Sequence, residues 1–174
     1  MILCRVNAPL VSECFKFIKA GRKANIRGRD VGAALVSTVN KHKAKDVGDL
    51  VEKLSDWFQN ESMKENKKKY PNDARLIALQ DRYDCLGCFI EDAQTIEAVI
   101  KSIENVFSDK DTEGIQLSSI HKAKGLESAR VFLIEPEGAT VPHPMAKSDW
   151  QKEAEMNLKY VAITRAIEEL IYVS

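Results

Sequence analysis

No apolar run in this sequence approaches the roughly 20 residues that cross a bilayer. The apolar start Met1-Ile2-Leu3-Cys4 carries no charged leader. Neither a membrane span nor a secretory signal is expected, and the chain reads as intracellular. Charge of one sign is not in excess either. Lys+Arg and Asp+Glu number 26 each, which argues against a free-standing nucleic-acid module with its usual basic surplus. It leaves room for a domain that lends part of a nucleic-acid path. No glycine is followed by lysine, so the Gly-rich loop with Lys-Ser/Thr that cradles phosphates is missing. No apolar strand ends in Asp-Glu to hold magnesium; Val131–Ile134 runs into Glu135, but Pro136 follows. By itself the chain is not expected to hydrolyse a nucleoside triphosphate. Its four cysteines include Cys85 and Cys88 at the spacing of half a zinc site, but no second such pair follows and no His lies close. Buried reduced thiols are the expectation, with no metal site. Nor is there a nucleophile–base pair that would suit a small self-contained enzyme.

What is present is the pattern of a single α/β domain. At 174 residues, 44% apolar and 30% charged, the chain suits one globular unit. Met1–Val6 reads as a strand. A helix follows, with Asn7 as cap, Pro9 in the first turn, Leu10, Val11, Cys14, Phe15 and Ile18 on one face, and Gly21 at its end. Ala24–Arg27 reads as a short strand, and Asp30 as the cap of a helix over Val31–Val39. From Lys41 to Lys110 the pattern becomes helical. Asp46 caps a helix whose apolar face is Val47, Leu50, Val51, Leu54, Trp57 and Phe58; further helices start at Asp73 and Asp92. The basic run Lys64–Lys69 reads as a solvated face. Ile115–Leu117 and Val131–Ile134 are short β-branched runs flanking the loop His121-Lys122-Ala123-Lys124-Gly125-Leu126-Glu127. A helical segment with Leu158, Val161, Ala162 and Arg165, and a strand at Glu169–Val173, complete a parallel sheet. In such sheets ligands are expected at the carboxyl ends of the strands.

Three stretches resemble the C-terminal RecA-like domain, 2A, of UvrD/Rep-type superfamily 1 DNA helicases. HKAKGLE is similar to their motif V, YVAITRA to motif VI, and ILCRVNAPL to motif IV, although Cys4 stands where many relatives have a stacking aromatic. The resemblance implies a RecA-like, P-loop-NTPase-like parallel sheet flanked by helices. Residues about 1–40 and 111–174 would form the 2A domain. The helical insertion 41–110 would stand where relatives carry a larger 2B subdomain. It implies ATP and Mg2+ held mainly by a separate 1A domain of the same protein, and single-stranded DNA and single-strand/duplex junctions as partners, with 3′ to 5′ movement.

Site residues follow from the same resemblance. Arg165 is the expected arginine finger, stabilising charge on a transferring phosphoryl group. Arg5 is a second ATP contact, Glu127 accepts from the ribose, and Gly125 permits close backbone approach. Ser119, His121 and Lys124 touch single-stranded DNA through its phosphates, which suits a motor indifferent to sequence. Tyr160 stacks or belongs to the core, and Thr164 orients the turn around Arg165. From spacing alone, a surface Arg that complements the dipole at a helix C-terminus is the favoured reading, and the intact YVAITRA turns it toward the finger. A helicase-like scaffold that binds DNA or protein without turnover is the alternative to a motor domain.

Overall fold

The computed structural model describes residues 1–107 and 114–173. The chain divides into two compact units, Met1–Arg27 with Asp109–Ser174, and Gly28–Ser108.

The first unit holds five strands: β1 (Ile2–Cys4), β2 (Ala24–Arg27), β3 (Ile115–Ser119), β4 (Ser128–Ile134) and β5 (Ala166–Val173). All four pairings are parallel, in the order β2-β3-β1-β4-β5. This is the expected α/β sheet. Its registers set the geometry of everything below: Cys4 lies opposite Ser119, Leu3 opposite Leu133, and Ser128 opposite Ala166. Helix α1 (Ala8–Lys19) packs against β1, β2 and β3 and buries Leu10, Val11 and Cys14. Burial pushes the Cys14 thiol up to about 11, leaving it a protonated core residue. The last helix of the chain, Asp149–Ile163, packs against β5 and buries Glu155, Leu158 and Ala162. Leu158 and Ala162 join Leu3, Val131, Leu133, Ile120 and Ala123 in one apolar cluster. Alternate positions of a strand face one side, which is why Leu3, Val131 and Leu133 meet there.

The second unit contains α2 (Arg29–His42), α3 (Val47–Asn66), α4 (Asp73–Ile90) and α5 (Ile96–Val106); the helix before β5 is therefore α6. Asp46 caps α3 as expected, accepting from Asp49 N. Asp73 starts α4 as expected, behind its cap Asn72, whereas the cap of α2 is Gly28 rather than Asp30, and α5 starts at Ile96, behind Thr95, rather than at Asp92. Asp30 and Asp73 fall inside the first turn, where a carboxylate still favours the helix dipole. Helix α2 belongs to this unit, so the division falls before it and not after about residue 40. The reason is packing: α2 lies against α5 so closely that a Cβ on Gly32 would stand 2.7 Å from Phe107. The other expected boundary, at 110 and 111, lies outside the described residues. Buried Glu65 pins the α3–α4 turn, accepting from Asn72 N and pairing with Lys68 and Arg75. Cys85 and Cys88 are free thiols on α4, both shifted upward chiefly by burial. Among the described residues no helix is long and apolar enough to cross a membrane.

Candidate functional site

The loop that joins β3 to β4 starts at the carboxyl end of one strand and finishes at the amino end of its successor. Two inward residues fix its path: Ala123 is fully buried and Leu126 packs on the core cluster. The Ser119 carbonyl accepts the amides of Lys122 and Ala123, and Leu126 N donates to Ala123 O, closing a tight turn. Gly125 takes a φ of +81°, a left-handed conformation that favours glycine. His121, Lys122, Lys124, Gly125 and Glu127 are left exposed. Ser119 is buried beneath them.

At the amino end of the sheet the loop meets Arg165. This residue sits just past the Thr164 cap of α6 and immediately before β5. Its backbone carbonyl accepts Ser128 N at 3.0 Å, so the turn is tied to the end of the loop. The guanidinium is fully oriented: Nε donates to Val161 O at 3.0 Å, Nη1 to Leu126 O at 2.9 Å and Nη2 to Thr164 Oγ1 at 3.0 Å. Thr164 in turn donates to carbonyls in the last turn of α6. Helix C-termini leave such carbonyls without intrahelical donors, and here a side chain and a hydroxyl satisfy them. All three acceptors are neutral, so the cation keeps its charge, and protons on Nη1 and Nη2 remain for an anion. Glu127 is exposed one residue before the Ser128–Ala166 register pair. With Leu126, Ser128, Phe17, Ile115 and Phe132 it lines a largely apolar cavity of about 660 Å3.

At the carboxyl end the arrangement is different. Arg5 follows β1 directly, and Glu155 of α6 holds it edge-on. Arg5 Nε donates to both carboxylate oxygens, at 3.0 and 2.9 Å, and Nη2 to Oε1 at 2.7 Å. Both side chains are largely buried, at 11% and 8% exposure. His143 N adds a bond to Glu155 Oε2 at 3.1 Å. Burial by itself would raise the Glu155 carboxyl, but Arg5 outweighs it and holds the group below its ordinary range. The neighbouring His121 is shifted down, first by the protein packed around its ring and then by the charges of Arg5 and Lys124, against an opposing pull from Glu155.

The two ends are well separated. Strand β4 alone runs seven residues, roughly 20 Å. About 9 Å of helical rise separates Glu155 from Val161, whose carbonyl holds Arg165. The structure brings Arg165 and Thr164 against the Leu126 and Ser128 end of the loop, and ties the other end, through Ile120 N, to Cys4 beside Arg5. Arg5, expected as a second ATP contact, is held by Glu155 through Nε and Nη2, with Nη1 outside that pair. Tyr160, left open between stacking and core, is 68% exposed on α6. Glu155 was missed in the sequence. Its signal was an acid at the first position of the buried stripe Glu155, Leu158, Ala162, which calls for a buried partner.

The sequence matches a family model over most of its length. Residues 16–174 fit the UvrD-like helicase C-terminal domain. The chain belongs to that family. Among curated relatives of this UvrD-like domain, ATP-dependent DNA helicase PcrA of Staphylococcus epidermidis is 43% identical over 70 residues, 38% of this chain and 10% of the relative. PcrA of Staphylococcus aureus is 41% identical over 70 residues, with the same shares. ATP-dependent DNA helicase Rep of Salmonella typhimurium is 35% identical over 65 residues, 37% of this chain and 10% of the relative. Each match thus covers about a tenth of the relative's length.

Proposed function

We propose that this UvrD-like domain is the C-terminal motor half of an ATP-dependent DNA helicase moving 3′ to 5′. It supplies the arginine finger and part of the single-strand track. The observation that carries the reading is the bond from Arg165 Nη1 to Leu126 O. It ties the finger candidate to the loop whose other end presents His121. An event on DNA at His121 then has a short path to the guanidinium, along the loop and across that hydrogen bond.

In this reading Arg165 is preorganised by neutral carbonyls and a hydroxyl and lends undiminished charge to a γ-phosphoryl group in transfer. Thr164 fixes its orientation. Glu127, beside it, accepts from a ribose, and Gly125 gives the backbone its close approach. His121 and Lys124 contact backbone phosphates of single-stranded DNA over the buried Ser119. The phosphate-cradling loop and the magnesium carboxylates belong to a 1A domain elsewhere in the complete protein, and this chain alone turns over no ATP. The helices of the second unit, α2 to α5, stand in place of a 2B subdomain.

The test is Arg165→Ala in the complete protein, with ATP turnover measured at saturating oligo(dT). A loss of about a thousandfold or more is expected, with ATP still bound. Turnover near the wild-type rate would remove Arg165 from the mechanism.

A further inference from the structure

The corner between α3 and α4 takes no part in the nucleotide chemistry above. At its tip Tyr70 is 79% exposed, more than any other large hydrophobic side chain among the described residues. The corner that carries it is firmly built. Lys67 N donates to Met63 O at 3.0 Å, and the buried Glu65 accepts from Asn72 N at 3.1 Å while pairing with Lys68 at 2.7 Å and Arg75 at 3.2 Å. Asn72 caps α4 by accepting from Arg75 N, and Pro71 disfavours helical backbone at Tyr70. The tyrosine is thus held out by its neighbours rather than left over by a loose loop. Cations gather around it. Lys64 is paired with Glu61, but Lys67 and Lys69 have no carboxylate partner among the described residues. Lys69 Nζ instead stands 5.4 Å from the centre of the Tyr70 ring, close enough for a cation–π attraction. One face of the ring is so engaged, and at this exposure the other is open to a second flat partner.

We propose that this corner is a contact for nucleic acid with unpaired bases: Tyr70 stacks on a base, and Lys67 and Lys69 meet the phosphates on either side of it. Stacking on an aromatic ring accepts every base, since each has a π face, and the amines bind phosphates without reading sequence. A duplex keeps its bases stacked on one another and has no use for the ring except at an end. An acidic protein surface would suit the amines alone. The run Lys64–Lys69, expected only as a solvated face, gains a task through Tyr70. The identity of the ligand rests on the reading of the chain as part of a DNA motor, but none of these residues belongs to the strand track given to His121 and Lys124.

The probe is iododeoxyuridine-substituted oligo(dT), bound to the complete protein and irradiated. A cross-link at Tyr70, located by peptide mass spectrometry, is expected. Tyr70→Ala should weaken oligo(dT) binding about fivefold or more with an unchanged slope of log K against log salt, whereas Tyr70→Phe should stay within about twofold of wild type. Lys67→Gln with Lys69→Gln should reduce the magnitude of that slope by about 1.4, two phosphate contacts on a single strand. All three positions are exposed, so the urea midpoint should not move. Absence of the cross-link, or wild-type affinity in Tyr70→Ala, overturns the contact. An unchanged salt slope in the lysine variant overturns the phosphate pairing. Equal weakening of oligo(dT) and blunt duplex by Tyr70→Ala overturns stacking on unpaired bases. His121→Ala with Lys124→Ala separates the two readings. If that variant weakens binding and Tyr70→Ala does not, this inference alone fails. If Tyr70→Ala weakens binding and that variant does not, the strand track alone fails.

Discussion

The two ends of the sheet each hold an arginine, and they hold it by opposite means. Arg165 is fastened to two carbonyls and a hydroxyl, all neutral. Arg5 is fastened to a carboxylate that is itself mostly buried. The first arrangement fixes position and leaves the charge intact; the second fixes position by cancelling it. In a site shielded from water a cation is most effective on developing negative charge when no counter-ion shares it. The contrast teaches that one residue type is held in two ways, by neutral acceptors at one place and by a counter-ion at the other. Helix α6 carries the fastening for both.

The comparison can be broken from either side. If Arg165 acts through its forked geometry, Arg165→Lys does not restore turnover, because one ammonium cannot bond Val161 O, Leu126 O and Thr164 Oγ1 together. The expected loss in kcat at saturating oligo(dT) is about a hundredfold or more, and a lysine enzyme within a few-fold of wild type would show that charge alone suffices. At the other end, Glu155→Ala strands Arg5 with its charge uncompensated, and urea unfolding is expected to show about 3–5 kcal/mol of destabilisation. Glu155→Gln, which keeps a hydrogen-bonding partner, costs less.

Smaller changes sharpen the picture. Thr164→Val keeps the shape of the turn but removes the acceptor of Arg165 Nη2. A drop of about tenfold in kcat with unchanged oligo(dT) affinity is expected, and an equal effect on DNA binding would mean the two ends are not separable. Gly125→Ala meets no atom within 4 Å, so only its φ of +81° resists. About 1 kcal/mol of stability should be lost, read from the urea midpoint. The smallest effect is on acid stability. Glu155 is held below its ordinary 4.5, so the unfolded chain takes up its proton first as pH falls. The pair therefore contributes fully above that value and its contribution fades below it. The stability gap between wild type and Glu155→Gln should narrow on acidification below pH 4.5, and a gap that widens would contradict the pairing with Arg5 in solution.

Much of this architecture is legible in the sequence, and the gaps have physical causes. The sheet is readable because its strands are short β-branched runs separated by loops with turn residues, and β4 and β5 were merely underestimated in length. The motif loop is readable because Ala123 and Leu126 alternate with polar neighbours at turn spacing. The start of α4 at Asp73 is legible, but those of α2 and α5 are not, because Asp30 and Asp92 satisfy the same compositional rule as the true caps Gly28 and Thr95, and only backbone geometry separates them. Helix α2 was grouped with the sheet because sequence order says nothing of Gly32 admitting Phe107. Arg5 was assigned by motif, and its actual partner lies 150 residues away in the chain, where no local pattern reaches. The separation of Arg5 from Arg165 is a matter of strand direction: one follows its strand, the other precedes it.

The account stands or falls on whether the two ends do different work. The direct measurement is ATP turnover at saturating oligo(dT), taken side by side for Arg165→Ala and His121→Ala in the complete protein. The expected result is collapse in the first and near-normal turnover in the second once DNA saturates it. Turnover lost equally in both at saturating DNA, or retained in both, would contradict the division.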